Sequence, residues 1–288
     1  MVATSTIILN TASAHWVAIY MHADNSGSCE VWFNGALIVS YTGDLQDTAT
    51  PGWQSVRWSA NNQDLYYDDI IVTTEEEGRL DECYIVPLAP DGDDVTALTP
   101  STGVDNFAMV DEVPPSTTDY NETLVTAEDF YDLEALPSTF SRVVMLGHNS
   151  YVARDGTITT AQMGIKSGAT TDRQTAITLG AAATYEEVQG MWLTDPNTST
   201  AVAAVDTGSD TVAIAGDLTA IIVDNSFIEI TGSTGNDGTY VVASTTFSSP
   251  NTDITVAGDI TDATVDGNVT YNWTETTVNA AKSGIKFA

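Results

Sequence analysis

Imidazole is the commonest metal ligand and the commonest general base near neutral pH, so the chain's three histidines, His15, His22 and His148, are the first residues to weigh. His15 and His22 stand seven residues apart on one strand-like run, point to opposite faces of an extended chain, and so do not share an ion. Cleaving a sugar bond takes two carboxyl groups about 5 to 9 Å apart across a cleft, which alternating acids on one strand would supply. Asp68 and Asp69 are adjacent instead, as are Glu186 and Glu187, so each pair splits between two faces. Asp24, Asn25, Ser26 and Gly27 form a short loop of oxygen donors, and so do the stretch 91–94 and the triplet Asn236, Asp237, Gly238. Calcium wants about six to eight oxygens, more than any of these offers, and Asn, Asp and Gly are also the residues that turns require. No Gly-x-Ser-x-Gly elbow occurs, and no glycine-rich loop leads a helix as phosphate binding would need. The residues imply no catalytic group, no metal and no cofactor.

Four tryptophans, Trp16, Trp32, Trp53 and Trp58, fall in the first part of the chain, where a lectin would place aromatic platforms for sugars. Trp16 and Trp32 sit in apolar strand contexts and read as core. Trp53, beside Pro51 and Gly52, is the candidate for an exposed carbohydrate-binding aromatic. Cys29 and Cys83 each lie inside a strand-like run and read as buried thiols.

These side chains must be held by a protein of unusual charge. Among 288 residues there are 40 Asp and Glu against 8 Lys and Arg, a formal net charge of -32. Such a surface repels phosphate, because nucleic-acid affinity rests on basic side chains displacing counterions. DNA and anionic membranes are thereby excluded as partners. A hydrophobic share of 42% argues for a globular chain rather than a disordered one. No apolar run reaches the roughly 18 residues of a membrane helix, and the first residues lack the pattern of a secretory signal, so a soluble protein is expected.

Short runs of Val, Ile, Thr, Tyr and Trp between Gly, Asn, Asp and Pro predict an all-β fold. In a first block, 1–78, strands are expected at 15–22, 28–33, 36–41, 54–59 and 65–73, with Asn34-Gly35 as a hairpin turn. Glu75, Glu76, Glu77 and Gly78 read as a solvated linker. A second block, 79–200 with 272–288, predicts strands at 83–87, 107–110, 123–125, 141–154, 159–166 and 185–193. It closes with a helix over 274–282, N-capped by Thr274 and ended by Gly284, and a last strand at 285–287. The third block, 201–271, holds a near-repeat: Ala215-Gly216-Asp217-Leu218-Thr219 recurs as Ala257-Gly258-Asp259-Ile260-Thr261. Neither copy can bury an apolar face alone, so the two are expected to fold around each other as a small inserted barrel.

The stretches HWVAIYMHADNSGSCEVWFNGALIVSYTGD and LYYDDIIV resemble the latter half of a concanavalin-like or laminin-G-like jelly roll. Only half of that sandwich is covered, so either the other half is absent or another chain supplies it. The segments DECYIVPLAPDGDDVTALTPSTGVDNFAMVDEVPP, DFYDLEALP, GMWLTDPNTSTA and NWTETTVNAAKSGIKFA resemble, in this order, the C-terminal β-domain of a tailed-bacteriophage virion protein family in which it follows such a sandwich. In that pattern the Asp-Pro turn runs almost directly into the Trp-Thr-Glu helix, whereas here the third block intervenes. The resemblance implies a structural protein on the exterior of the virion, at the tail or as a capsid decoration or head fibre. Its partners would be other virion proteins and copies of itself, with host-surface glycan as a further contact. A lectin-like carbohydrate-binding module is the alternative function.

Overall fold

A computed structural model describes residues 17–22, 27–43 and 85–288, except 104, 113, 114, 138, 139, 141, 155 and 183. The chain divides after Ile85 into two units. The expected strands at 54–59 and 65–73 and the linker at 75–78 lie outside the described residues.

In the first unit, alternation and turn chemistry build one antiparallel sheet of β1 (Val17–His22), β2 (Gly27–Phe33) and β3 (Ala36–Gly43), in that order. The hairpin turn works because Asn34 and Gly35 both take positive φ, 47° and 79°, which few other residues tolerate. Register puts Val17, Ile19 and Met21 beside Phe33, Val31 and Cys29, and Val31 and Cys29 in turn beside Val39 and Tyr41. Since residues two apart share a face, one side of this sheet is apolar throughout.

The second unit begins with β4 (Pro90–Val95), β5 (Thr99–Pro100), β6 (Asn121–Glu122), β7 (Ala127–Leu133), β8 (Leu146–Ala153) and β9 (Thr160–Ser167). There follow β10 (Thr170–Arg173), β11 (Ile177–Thr178) and β12 (Tyr185–Trp192). Six strands then form the barrel: β13 (Asp195–Asp206), β14 (Thr211–Ala215), β15 (Phe227–Thr231), β16 (Gly238–Ser248), β17 (Asn251–Ala257) and β18 (Asn268–Tyr271). Helix α1 (Glu275–Asn279) and β19 (Lys282–Phe287) end the chain.

A sheet ordered β10-β9-β19-β7-β4, with β11 on β9, shares a core with the β8–β12 pair. Alternation on β9 sends Ala161, Met163 and Ile165 inward to meet Val152, Val188 and Trp192 of the pair and Trp273, Val278 and Ala281 around α1. Met163, Ile165 and Trp273 are each about 1% exposed, so each contributes about 1.5 to 3 kcal/mol of burial. On the sheet's other side Gly164 and Gly284 are direct neighbours. The buried ring of Phe130 lies across them, with the Arg173 guanidinium 5.9 Å from its centroid.

Several expectations need correcting. Residues 107–110 form a 3-10 turn, Phe107–Met109, because the Asp93 carboxylate accepts the N–H groups of Asn106 and Phe107 and curls the chain. Positions 123–125 are an exposed turn between β6 and β7, held by the Thr123 hydroxyl donating to the Val125 carbonyl. Residues 85–87 carry no strand. The acid-rich strands β4 and β7 stand where turns or nothing regular was expected. The helix stops at Asn279, and Gly284 is a strand residue instead of its C-cap, because pairing of Lys282 with Asp132 and Lys166 recruits the chain into the sheet. Thr274 is the N-cap: its hydroxyl accepts from the Thr277 N–H, while the Thr277 hydroxyl accepts from the Thr274 N–H. Thr274→Ala is expected to cost about 1 kcal/mol, read as a lower urea midpoint with an unchanged slope.

The barrel closes in the order β13-β14-β17-β16-β15-β18 and carries the symmetry that the near-repeat implied. The equivalent residues Val212 and Ile254 pair directly with each other. Leu218 donates its N–H to the Thr252 hydroxyl, 2.9 Å, and its counterpart Ile260 donates to the Asp210 carboxylate, the counterpart of Thr252, at 3.0 Å. Bulges interrupt β13 between Val202 and Ala204 and β16 between Val242 and Ser244. Each half thus supplies what the other lacks, and Ile214, Ile222, Ile228, Val242, Ile254 and Val269 fill the interior at 0% exposure. The barrel's ends adjoin, since Asp195 at the start of β13 pairs with Tyr271 at the end of β18. Just outside them the Trp273 indole donates to the Trp192 carbonyl at 3.1 Å.

Candidate functional site

The residues weighed for chemistry are mostly spent on structure. Asp93 caps the 3-10 turn, and Asp94 pairs with Lys166 at 2.6 Å and Lys282 at 3.4 Å. The Asn236 side-chain oxygen accepts from the N–H groups of Thr261 and Asp262, and Asp237 accepts from the Ser233 N–H and hydroxyl. Glu186 accepts from the Gly180 N–H and Glu187 from the Asn149 amide, on opposite faces of β12. Among the described residues no three His, Cys, Asp or Glu side chains group as metal ligands would, and no helix is long and apolar enough to cross a membrane. Trp32 is half-buried, with its indole N–H donated to Glu30, so it is not a fully buried core residue. Cys29 carries a free, half-buried thiol whose pKa burial and the neighbouring Glu30 push up, which keeps it protonated and inert. His15, Cys83, Asp68, Asp69, Trp16, Trp53, Trp58 and the loop positions 24–26 lie outside the described residues, and of His22 only the strand backbone is described.

His148 joins the two layers of the sandwich. One ring nitrogen meets the Ser150 hydroxyl and the other, Nδ1, the Ser283 hydroxyl at 2.6 Å. Burial holds its pKa down at about 4 against an ordinary 6.5, a hydrogen bond with the Gly164 backbone opposing only part of the shift. The neutral ring therefore stabilises the fold fully above the unfolded value of 6.5. Between there and about 4 the unfolded chain takes up a proton that the folded one refuses. Over this window stability is expected to fall by on the order of 2 to 3 kcal/mol, and His148→Gln should flatten that limb in urea titrations at stepped pH.

Among the described residues, a groove of about 530 Å³ opens where β10 and the end of β12 meet the barrel. Its size falls within the range of small-ligand clefts. The sheet contributes Asp172 and Gln174, β12 contributes Met191 and Trp192, and the barrel contributes Glu229 and Thr270. The Trp192 indole donates to Asp172 Oδ2 at 2.7 Å, and the Gln174 amide donates to the Met191 carbonyl at 2.9 Å. The Thr194 hydroxyl reaches Glu229 Oε2 at 3.5 Å and the Thr270 hydroxyl at 3.0 Å. Glu229 and Thr270 face each other across β15 and β18. Burial raises the Glu229 pKa, and the Asp172 charge raises it further.

Comparison of the chain with protein-family models, with curated proteins and with solved structures gives no match. The groove must therefore be read from its own chemistry. Two acids sharing a cleft, one with a raised pKa, can serve acid and base roles, yet the Trp192 ring is 4% exposed and offers no platform for a sugar face. What the groove presents is negative charge, hydroxyl groups and a few apolar residues, of which Met191, at 64% exposure, projects most. Sequence reasoning missed it because Asp172 and Glu229 come from different modules; the one local signal was the Asp-Pro turn just after Trp192.

Proposed function

We propose that this chain is a structural, non-enzymatic protein of a tailed-bacteriophage particle, seated on the particle's exterior at the tail. It works by contacts with copies of itself and with neighbouring virion proteins. The observation that carries this reading is apolar surface displayed by an otherwise acidic molecule. On the apolar side of the first sheet Val17 and Ile19 remain 40% and 43% exposed. In the second unit the turn before β7 holds out Leu124 and Val125, at 80% and 67%. Adjacent aliphatic side chains on ordered β scaffolds mark contact sites, and many such contacts in register supply avidity that no single one does.

The test is the composition of purified particles. Stoichiometric presence of the chain, with its density on the outside of the particle in an image reconstruction, is the expected result; density on the head would move it to a capsid-decoration role. Recovery of the chain as a free monomer from uninfected cells, or release of reducing sugar from host-surface glycan, would overturn the proposal.

A further inference from the structure

We propose that the groove between β10, β12 and the barrel docks a basic segment of a protein partner, with an arginine or lysine side chain entering between Asp172 and Glu229. The inference rests on the assembly reading above and names the chemistry of one contact. Charge complementarity carries it. The chain has 40 acidic residues against 8 basic ones, and no basic side chain lines the groove. Three basic residues of the adjoining sheet are already engaged, Lys166 with Asp94, Lys282 with Asp94 and Asp132, and Arg173 with Glu128, and the fourth, Lys286, does not line the groove. Two carboxylates, one from the sheet and one from the barrel, therefore share a half-enclosed space without a cation from the lining.

The remaining geometry fits a long basic side chain. Trp192 orients Asp172 and Thr194 orients Glu229, so little reorganisation is needed on binding. Met191, strongly exposed, gives the aliphatic stem of a lysine or arginine an apolar surface to lie on. Among the described residues β10 pairs only with β9, so its outer backbone edge borders the groove and can receive an extended segment. A guanidinium placed there would also relieve the repulsion between the two acids.

The test uses the full chain and a fluorescent oligo-arginine peptide at physiological salt, read by anisotropy. Asp172→Asn combined with Glu229→Gln is expected to weaken binding at least about tenfold. Asp91→Asn combined with Asp259→Asn removes the same charge from exposed positions elsewhere and should change affinity less than about twofold. Equal weakening by both pairs would mean diffuse attraction and would overturn the proposal. So would millimolar calcium chloride abolishing peptide binding while itself binding through Asp172 and Glu229. Urea midpoints of both double variants confirm that folded proteins are compared. Absence of the chain from particles would sink the assembly reading and leave the peptide selectivity standing, so the two failures are told apart.

Discussion

Gly284→Ala is expected to cost the second unit about 3 to 5 kcal/mol, the upper end of what single substitutions do. A β-carbon at this position would stand 2.3 Å from the Asp129 carbonyl oxygen and 2.6 Å from the Phe130 ring. An overpacked core ordinarily yields at about 1 to 3 kcal/mol, because side chains shift. Here the nearest atom is backbone, held in the ladder that joins β19 to β7, and the ring behind it is 3% exposed. Relief would therefore have to come from parting the two strands. The measurement is a urea unfolding series with Gly147→Ala as the control. A β-carbon at 147 would meet only the Gly190 carbonyl oxygen at 3.8 Å, ordinary contact, so this variant should lie within about 0.5 kcal/mol of the parent. Equal midpoints for the two variants would refute the close approach of β19 and β7.

Asp129→Ala should be nearly as severe, at about 4 kcal/mol. The Asp129 carboxylate is 0% exposed and accepts four hydrogen bonds: the Ala97 N–H at 2.6 Å, the Leu98 N–H at 2.8 Å, the Asn106 amide at 2.6 Å and the Tyr131 hydroxyl at 2.9 Å. Truncation leaves four donors in a buried setting, and each unsatisfied donor costs about 1 to 3 kcal/mol before water intrudes. Asp129→Asn keeps an oxygen for the two backbone groups but turns an amide toward Asn106, so roughly half the loss is expected. Tyr131→Phe removes two bonds, the one its hydroxyl donates to Asp129 and the one it accepts from the Asn121 amide, and should cost about 1 to 1.5 kcal/mol. Burial, and after it the Asp129 charge, raises the Tyr131 pKa. An ultraviolet titration should accordingly show this phenol still protonated where the exposed tyrosines ionise. A reversed order of the three variants in urea unfolding would show that the network does not centre on Asp129.

What could be read from the residues was whatever the chain specifies locally. The hairpin at Asn34-Gly35, the cap at Thr274 and the alternation of β1 to β3 follow from backbone preference and side-chain period. The barrel was legible because its repeat is written twice, in Ala215-Gly216-Asp217 and Ala257-Gly258-Asp259. The strands β4 and β7 were not, because their acids look like turn or ion-binding residues. Only the fold provides partners for them: Lys166 and Lys282 for Asp94, buried donors for Asp129, Lys282 for Asp132. The same reason hid the groove. Asp172 belongs to a short edge strand and Glu229 to the barrel, and no rule of spacing joins residues that only packing brings together.

Because Asp195 and Tyr271 stand side by side, the polypeptide enters and leaves the barrel through a single doorway, latched by Trp192 and Trp273. A segment that hangs from such a doorway is a cassette. Its length and lettering can drift, or be traded wholesale for another closed fold, while the floor beneath keeps the same two neighbouring crossings and the same latch. Diversity of reach is thereby separated from constancy of attachment.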